Sequence, residues 1–370
     1  MELTSRERLL RTFNREPIDR IPVSTYELMP FGADPWYEAQ PSYRELLQFI
    51  AEKTDILCLW DQPAQNACAW DEEFQRWSEG ESSFERYILH TSKGDLTRLT
   101  RRDANLNTLW TVEPLLKTLE DAEAYFALPW DFGGVDMARY RQIEARMGER
   151  GLMLCDTLDP VCALAYGFGF ESFMIYAWQE RERIKKCMDA VLERLLIELR
   201  HKLELGAGPI WRIYGPEYIS PPYFPVEAFR ELVAAYDKPI IDLIHEYGGK
   251  ARLHSHGRVS RLLDIIVEMG ADAIDPLEPP PQGDVDLAEV KKKYGDRLIL
   301  FGNIELSYLE YWEASQIDDY VKHSIEAAGK GGGYVIMPTA APINAPLWEK
   351  TAQNYYRFIE TALEFGKNIF

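Results

Sequence analysis

The feature that most constrains this chain is a rhythm. Apolar runs of strand length alternate with amphipathic helical stretches from about residue 151 to the end. "GLMLCDTLDP" reads as a strand and is followed by the long helical stretch "ERIKKCMDAVLERLLIELRHKLELG". "GPIWRIYGPEY", "KARLHSHG", "ADAIDPLEP", "RLILFGNIE" and "GGGYVIMPTAAP" repeat the pattern, each with a helical segment behind it. Strands that are apolar throughout, rather than on alternate residues, are buried on both faces, as in a parallel sheet with helices outside it. Upstream, a helix that Thr4 or Ser5 can cap leads into the short strand "IDRIPV", and "TDILCLWD" reads as a second buried strand. About eight β/α units predict an α/β fold, a (β/α)8 TIM barrel, as a single domain over residues 1–370. One stretch departs from the rhythm. At about 84–113, "FERYILHTSKGDLTRLTRRD" and "TLWTVEP" alternate apolar and polar residues around a turn, which predicts an inserted antiparallel β-hairpin. A helical stretch is expected next, from about Leu119 to Glu149.

Several function classes drop out at once. No glycine-rich dinucleotide or P-loop motif follows any strand. A formal charge of −19 without a long basic run argues against a partner that is a nucleic acid. The five cysteines are scattered, and the N-terminus "MELTSRERLL" is charged, so a cytoplasmic protein without a disulfide framework or membrane anchor is expected.

In a barrel of this kind chemistry sits where the strands end. Reading those ends gives Tyr26 and Glu27, Trp60 and Asp61, Asp156 and Asp159, Tyr214 and Glu217, His254 and His256, Asp275 and Glu278, Asn303 and Glu305, and Thr339. Any one of these acids can be a helix cap, but a whole ring of them implies a cation, a wet pocket or a polar substrate. The pair in "ARLHSHGRV" is the most specific signal. Residues two apart on a strand share a face, so His254 and His256 can offer two imidazoles to one Zn²⁺. Alternatively, one ring packs structurally and the other is solvated. Glu217, on the neighbouring strand, is the expected third ligand, with Glu27, Asp61 and Glu305 as substitutes. The other four histidines fall on presumed hairpin or helix segments and read as structural.

Taken together, "RERLLRTFNREPIDRIPV", "LIHEYGGKARLHSHG", "GADAIDPLEPP" and "LFGNIE" resemble the uroporphyrinogen decarboxylase superfamily, in order and over nearly the whole chain. That resemblance implies a (β/α)8 barrel and one of two activities: porphyrinogen decarboxylation without a cofactor, or zinc-dependent methyl transfer with a corrinoid protein. The decarboxylases carry an arginine-rich signature after the first strand. Here the corresponding "VSTYELMPFGADPWYE" has no arginine and includes Glu27, so substrate carboxylates lack partners there. Thiol-directed methyltransferases bind zinc through a His-x-Cys pair and a later Cys. In this chain the pair falls on His254 and His256, and the later position falls near Thr339 or Ala340. A site without thiolates is more Lewis-acidic and suits an ether oxygen better than a thiol. The resemblance therefore implies methyl transfer from a methoxylated, aromatic substrate to the cob(I)alamin of a separate corrinoid protein, since the chain has no Asp-x-His-x-x-Gly motif of its own. In that reading Glu27, Asp61, Tyr214 and Asn303 are candidate catalytic residues, and Tyr26, Trp60, Tyr218 and Glu305 face the substrate. A homodimer is also implied. The rival activities are decarboxylation and, further off, metal-dependent hydrolysis.

Overall fold

The computed structural model describes residues 2–367. Seven parallel strands form one curled sheet in sequence order: β1 (Ile56–Trp60), β6 (Gly151–Leu158), β7 (Ile210–Tyr214), β8 (Lys250–His254), β9 (Ala273–Asp275), β10 (Ile299–Ile304) and β11 (Tyr334–Pro338). Between β1 and β6 lies a separate antiparallel sheet of four strands, β2 (Glu72–Glu79), β3 (Ser82–Thr91), β4 (Gly94–Asp103) and β5 (Leu109–Glu113).

The fold thus differs from the expected closed eight-stranded barrel. "IDRIPV" does not form a strand; it makes one isolated parallel bridge, Val23 to Ile336 of β11. Pro22 has no N–H to donate, which cuts this ladder short. This segment fills the seam between β11 and β1, exchanging backbone hydrogen bonds with Ile336 at 3.0 Å and accepting the Asp55 N–H at the Val23 carbonyl at 2.8 Å, and side chains reinforce it. Asp55, fully buried, accepts from Arg8 at 2.6 Å, from Arg20 at 2.5 Å and from the Val23 N–H at 2.9 Å.

The insertion is larger than the expected hairpin. β3 and β4 pair as the alternation predicts, but β2 and β5 extend the sheet on both sides. β2 is exposed along nearly its whole length, so "EEFQRWSE" carries no burial pattern to read. The helical stretch expected from Leu119 to Glu149 is two helices, Leu119–Phe126 and Ala138–Met147, parted by a segment containing Pro129, Gly133 and Gly134.

Two cores flank the parallel sheet. Its inner face packs Leu57, Leu154, Ile210, Ala273, Phe301 and Val335, and the first helix, Ser5–Phe13, plugs one end with Leu9 and Phe13. Thr4 caps that helix in a capping box with Glu7, as expected. The outer face packs against the helices in a larger core. Alternate strand residues point inward, so the inner series runs on to Asp156, Arg212, Arg252, His254 and Asp275. The interior is apolar at one end and charged at the other. Among the described residues no single helix is long and apolar enough to cross a membrane; the pair Pro160–Phe168 and Phe170–Gln179 reaches that length only together and turns by 118° between them.

Candidate functional site

The polar end of the barrel interior holds two buried ion-pair networks. In the first, Arg212 Nε and Nη2 each donate to Asp156 at 2.7 Å, and both Nη atoms donate to Glu27 Oε1 at 3.1–3.2 Å. Burial alone would lower the Arg212 guanidinium, but Asp156 and Glu27 hold it well above its ordinary value, so it stays cationic. In the second, Arg252 Nε donates to Asp275 Oδ1 at 2.5 Å, with the guanidinium lying 4.4 Å from the Phe301 ring centroid. The other Asp275 oxygen lies 2.7 Å from His254 Nδ1. Burial would raise the Asp275 carboxyl, yet Arg252 and His254 pull it far below the usual range.

The sequence reading does not single out either arginine. The signal was present: each interrupts an apolar run, "IWRIY" and "ARLH", and Arg252 is two residues before His254 and so shares its face. Strand register places Arg212 beside both Asp156 and Arg252.

His254 and His256 do converge. Their rings meet edge-on at 4.7 Å between centroids. His256 Nδ1 lies 2.8 Å from Glu278 Oε1, so each imidazole has a carboxylate at Nδ1. Burial would lower His256, but Glu278 raises it overall. A neutral imidazole donating Nδ1–H to a carboxylate presents its Nε2 lone pair outward. Tyr26 OH is 3.5 Å from His254 Nε2, and the two rings stack at 6.0 Å. Tyr26 takes φ 56°, a left-handed conformation that few non-glycine residues adopt. Glu305 is buried; its Oε2 accepts from Thr339 at 3.2 Å, while Oε1 has no partner. Burial and the Glu278 charge push its carboxyl up to about 7.

Other expected residues fall differently. Glu217 sits on the short turn Pro216–Ile219 with Oε2 buried and unpartnered. Its acidic company is Asp159 and Asp237, and burial, then their mutual charge, raises the Asp159 carboxyl. Asp159 itself caps the helix Pro160–Phe168. Among the described residues no three His, Cys, Asp or Glu side chains gather into a ready metal cluster, although the Glu217 charge reaches His256 and helps to raise it. Glu27, proposed as a substitute ligand, is engaged by Arg212 instead. Trp60 is a correction. It points to the outer core, edge-on to Tyr140 at 5.2 Å, because strand alternation turns Leu59 inward. Asn303 is another: Gly302 takes φ 138°, the alternation breaks, and Asn303 accepts from Ser324 on the outer helix Ala314–Ala328 at 3.2 Å. Tyr214 is half-buried beside Arg212, and Tyr218 packs on Tyr166 and Phe170. Asp61 opens to a cavity outside β6, yet protein surrounds it closely enough that desolvation and Asp156 raise its carboxyl.

Residues 146–345 match the protein-family model described as uroporphyrinogen decarboxylase (URO-D). The structure also resembles a methyltransferase from Methanosarcina mazei, with a TM-score of 0.65 and 18% sequence identity over 98% of this chain and 99% of the other. At that identity the likeness is one of fold. Muconate lactonizing enzyme from Pseudomonas putida aligns over 83% of this chain and 77% of its own at 11% identity, with a TM-score of 0.28, too low to bear on function. No curated protein matches the chain.

Proposed function

The chain belongs to the uroporphyrinogen decarboxylase family, and from that premise we propose that it is a zinc-dependent methyltransferase, moving a methyl group from an O-methyl substrate to the cob(I)alamin of a separate corrinoid protein. One observation carries the reading: two imidazoles on one strand end, each braced at Nδ1 by its own carboxylate. That is the arrangement in which outer carboxylates orient histidine ligands and raise their basicity.

The donor set fits zinc in kind. His254 and His256 would hold it through Nε2, and Glu217, whose buried Oε2 has no partner, would be the third ligand. Bound there, the metal supplies Lewis acidity at the ether oxygen. The chain's own groups do the rest. Asp275 and Glu278 keep both rings in one tautomer and orientation. Tyr26 lies over the His254 ring with its OH 3.5 Å from Nε2, where it can orient a group bound there. Glu305 holds a proton close to neutral pH beside the pair and can release it to the oxygen that leaves as the methyl group departs.

The decarboxylase reading fares worse for a physical reason. A polycarboxylate substrate needs unpaired cations. Arg212 and Arg252, the arginines of the barrel interior, are already neutralised by Asp156, Glu27 and Asp275. The test is to mix the zinc-loaded protein with reduced corrinoid protein and a broad panel of methoxylated aromatics. The methylated-corrinoid absorption spectrum is expected with at least one of them; its absence across the panel overturns the reading.

A further inference from the structure

Just after "IDRIPV" the chain makes a turn that its own sequence disfavours. The Thr25 carbonyl accepts the Leu28 N–H at 3.2 Å, and the Thr25 hydroxyl donates to the Leu28 carbonyl at 2.9 Å. Tyr26 is the second residue of this turn, at φ 56°. Glycine, asparagine and aspartate usually fill such a position, because a bulky side chain crowds the backbone there. For a tyrosine the left-handed form is disfavoured by about 5–30-fold. Glycine would make the same turn without that cost, so the reason for tyrosine lies in its side chain.

That side chain is held from two directions. Its ring stacks on His254 at 6.0 Å, and the Arg212 guanidinium lies 5.6 Å from the ring centroid. Arg212 is rooted in the barrel wall by its 2.7 Å bonds to Asp156. Its Nη atoms reach Glu27, the residue after Tyr26 in the turn, at 3.1–3.2 Å. One guanidinium thus meets the turn twice, at the Tyr26 ring and at the Glu27 carboxylate. The result is a hydroxyl 3.5 Å from His254 Nε2. That is longer than a normal hydrogen bond, so the hydroxyl is not committed to the imidazole. A phenol keeps its proton at neutral pH, and this one is a donor available to a third group.

We propose that Tyr26 is a catalytic hydrogen-bond donor to a substrate oxygen brought to His254 Nε2, and that Glu27 and Arg212 are positioning residues that hold it there. The donor's use rests on the methyltransferase reading; the hold on Tyr26 does not. In that reaction the methyl carbon bonds to cobalt(I) through the cobalt electron pair, and the C–O bond breaks with its pair left on the oxygen. The Tyr26 hydrogen bond stabilises that charge without giving up its proton.

Fluorine NMR of the full chain labelled with 3-fluorotyrosine tests the hold without any corrinoid or metal, with Tyr26→Phe identifying the Tyr26 resonance. Glu27→Ala should shift or broaden that resonance and leave most others in place. Arg212 keeps Asp156 in this variant, so the fold is not at risk, and Glu27→Gln, which leaves Arg212 an acceptor, should move the resonance less. In methyl transfer, Tyr26→Phe should lower kcat by about 100-fold with KM within about twofold. Glu27→Ala should lower kcat by about tenfold, and the double variant should fall no further than Tyr26→Phe alone, because Glu27 acts through the hydroxyl. A Tyr26 resonance unmoved in both Glu27 variants overturns the proposal. So do losses that multiply in the double variant, or an unchanged kcat in Tyr26→Phe. A resonance that moves as expected, in a protein that transfers no methyl group, sustains the hold on Tyr26 and overturns the methyltransferase reading alone.

Discussion

Asp275→Asn isolates the physics of the candidate site. Asp275 is fully buried and Arg252 is 2% exposed, and their hydrogen bond is 2.5 Å long. Asparagine keeps the volume and one acceptor but removes the charge. Arg252 is then left with the Phe301 face and the Met337 sulfur at 3.9 Å. Removing one partner of a buried ion pair costs about 3–5 kcal/mol, because the other charge stays desolvated. Unfolding entropy near 2.1 cal/mol/K per residue makes that a drop of about 4–6 °C in Tm for a chain of this length. The same substitution frees the His254 ring, and loss of such a carboxylate typically lowers metal affinity about 10–100-fold. Two assays follow: calorimetric melting of the metal-free protein, and zinc affinity by competition with a chromogenic chelator. The controls are Arg252→Met and the double variant. If the cost comes from a stranded charge, the double variant is more stable than the sum of the single effects implies, by about 1–3 kcal/mol. Strict additivity refutes the stranded-charge argument. Unchanged zinc affinity in Asp275→Asn refutes the orienting role of this carboxylate.

Other outcomes follow from the same geometry. Zinc at a thousandfold excess over its Kd should stabilise the protein by about 4 kcal/mol, read as a Tm rise of about 5 °C that a chelator reverses and His256→Ala abolishes. Asn303→Ala should leave zinc affinity and methyl transfer within about twofold, costing roughly 1 kcal/mol for the Ser324 hydrogen bond, since the side chain faces the outer helix. Asp55→Ala removes the carboxylate partner of Arg20 and leaves Arg8 with Asp19 alone at the seam, and should lower stability by about 3 kcal/mol, seen as a lower urea midpoint at unchanged slope. Acid should loosen the same corner through Asp19. Burial opposes its ionisation, but Arg8 and the Leu3 N–H hold its carboxyl down from 3.8 to about 2. Because the folded value is the lower one, this stabilisation is complete above about pH 4 and is lost as pH falls toward 2. It is worth about 1–2 kcal/mol after solvent screening, and Asp19→Asn should flatten the acid limb of a stability–pH curve by that amount.

Much was legible in the chain itself. The strand–helix rhythm, the strand order and the His254–His256 pairing all follow from local pattern, because a strand's side chains alternate whatever surrounds them. The family was legible for the same reason, from short stretches in a fixed order. Tertiary structure decided which face was which. A parallel strand buried on both sides is apolar on both, so periodicity sets relative parity but not which set of residues looks into the barrel. That ambiguity put Trp60 in the expected pocket when it belongs to the outer core, and it hid Arg212 and Arg252 inside the barrel. The partners of the histidines lie 21 and 22 residues downstream, and only the register of β8 against β9, with the turn beyond each, brings Asp275 to His254 and Glu278 to His256. The cavity outside β6 is assembled from the inserted sheet, the loop after β1 and the helix Arg181–Glu204, and no local pattern encodes a meeting that only packing creates.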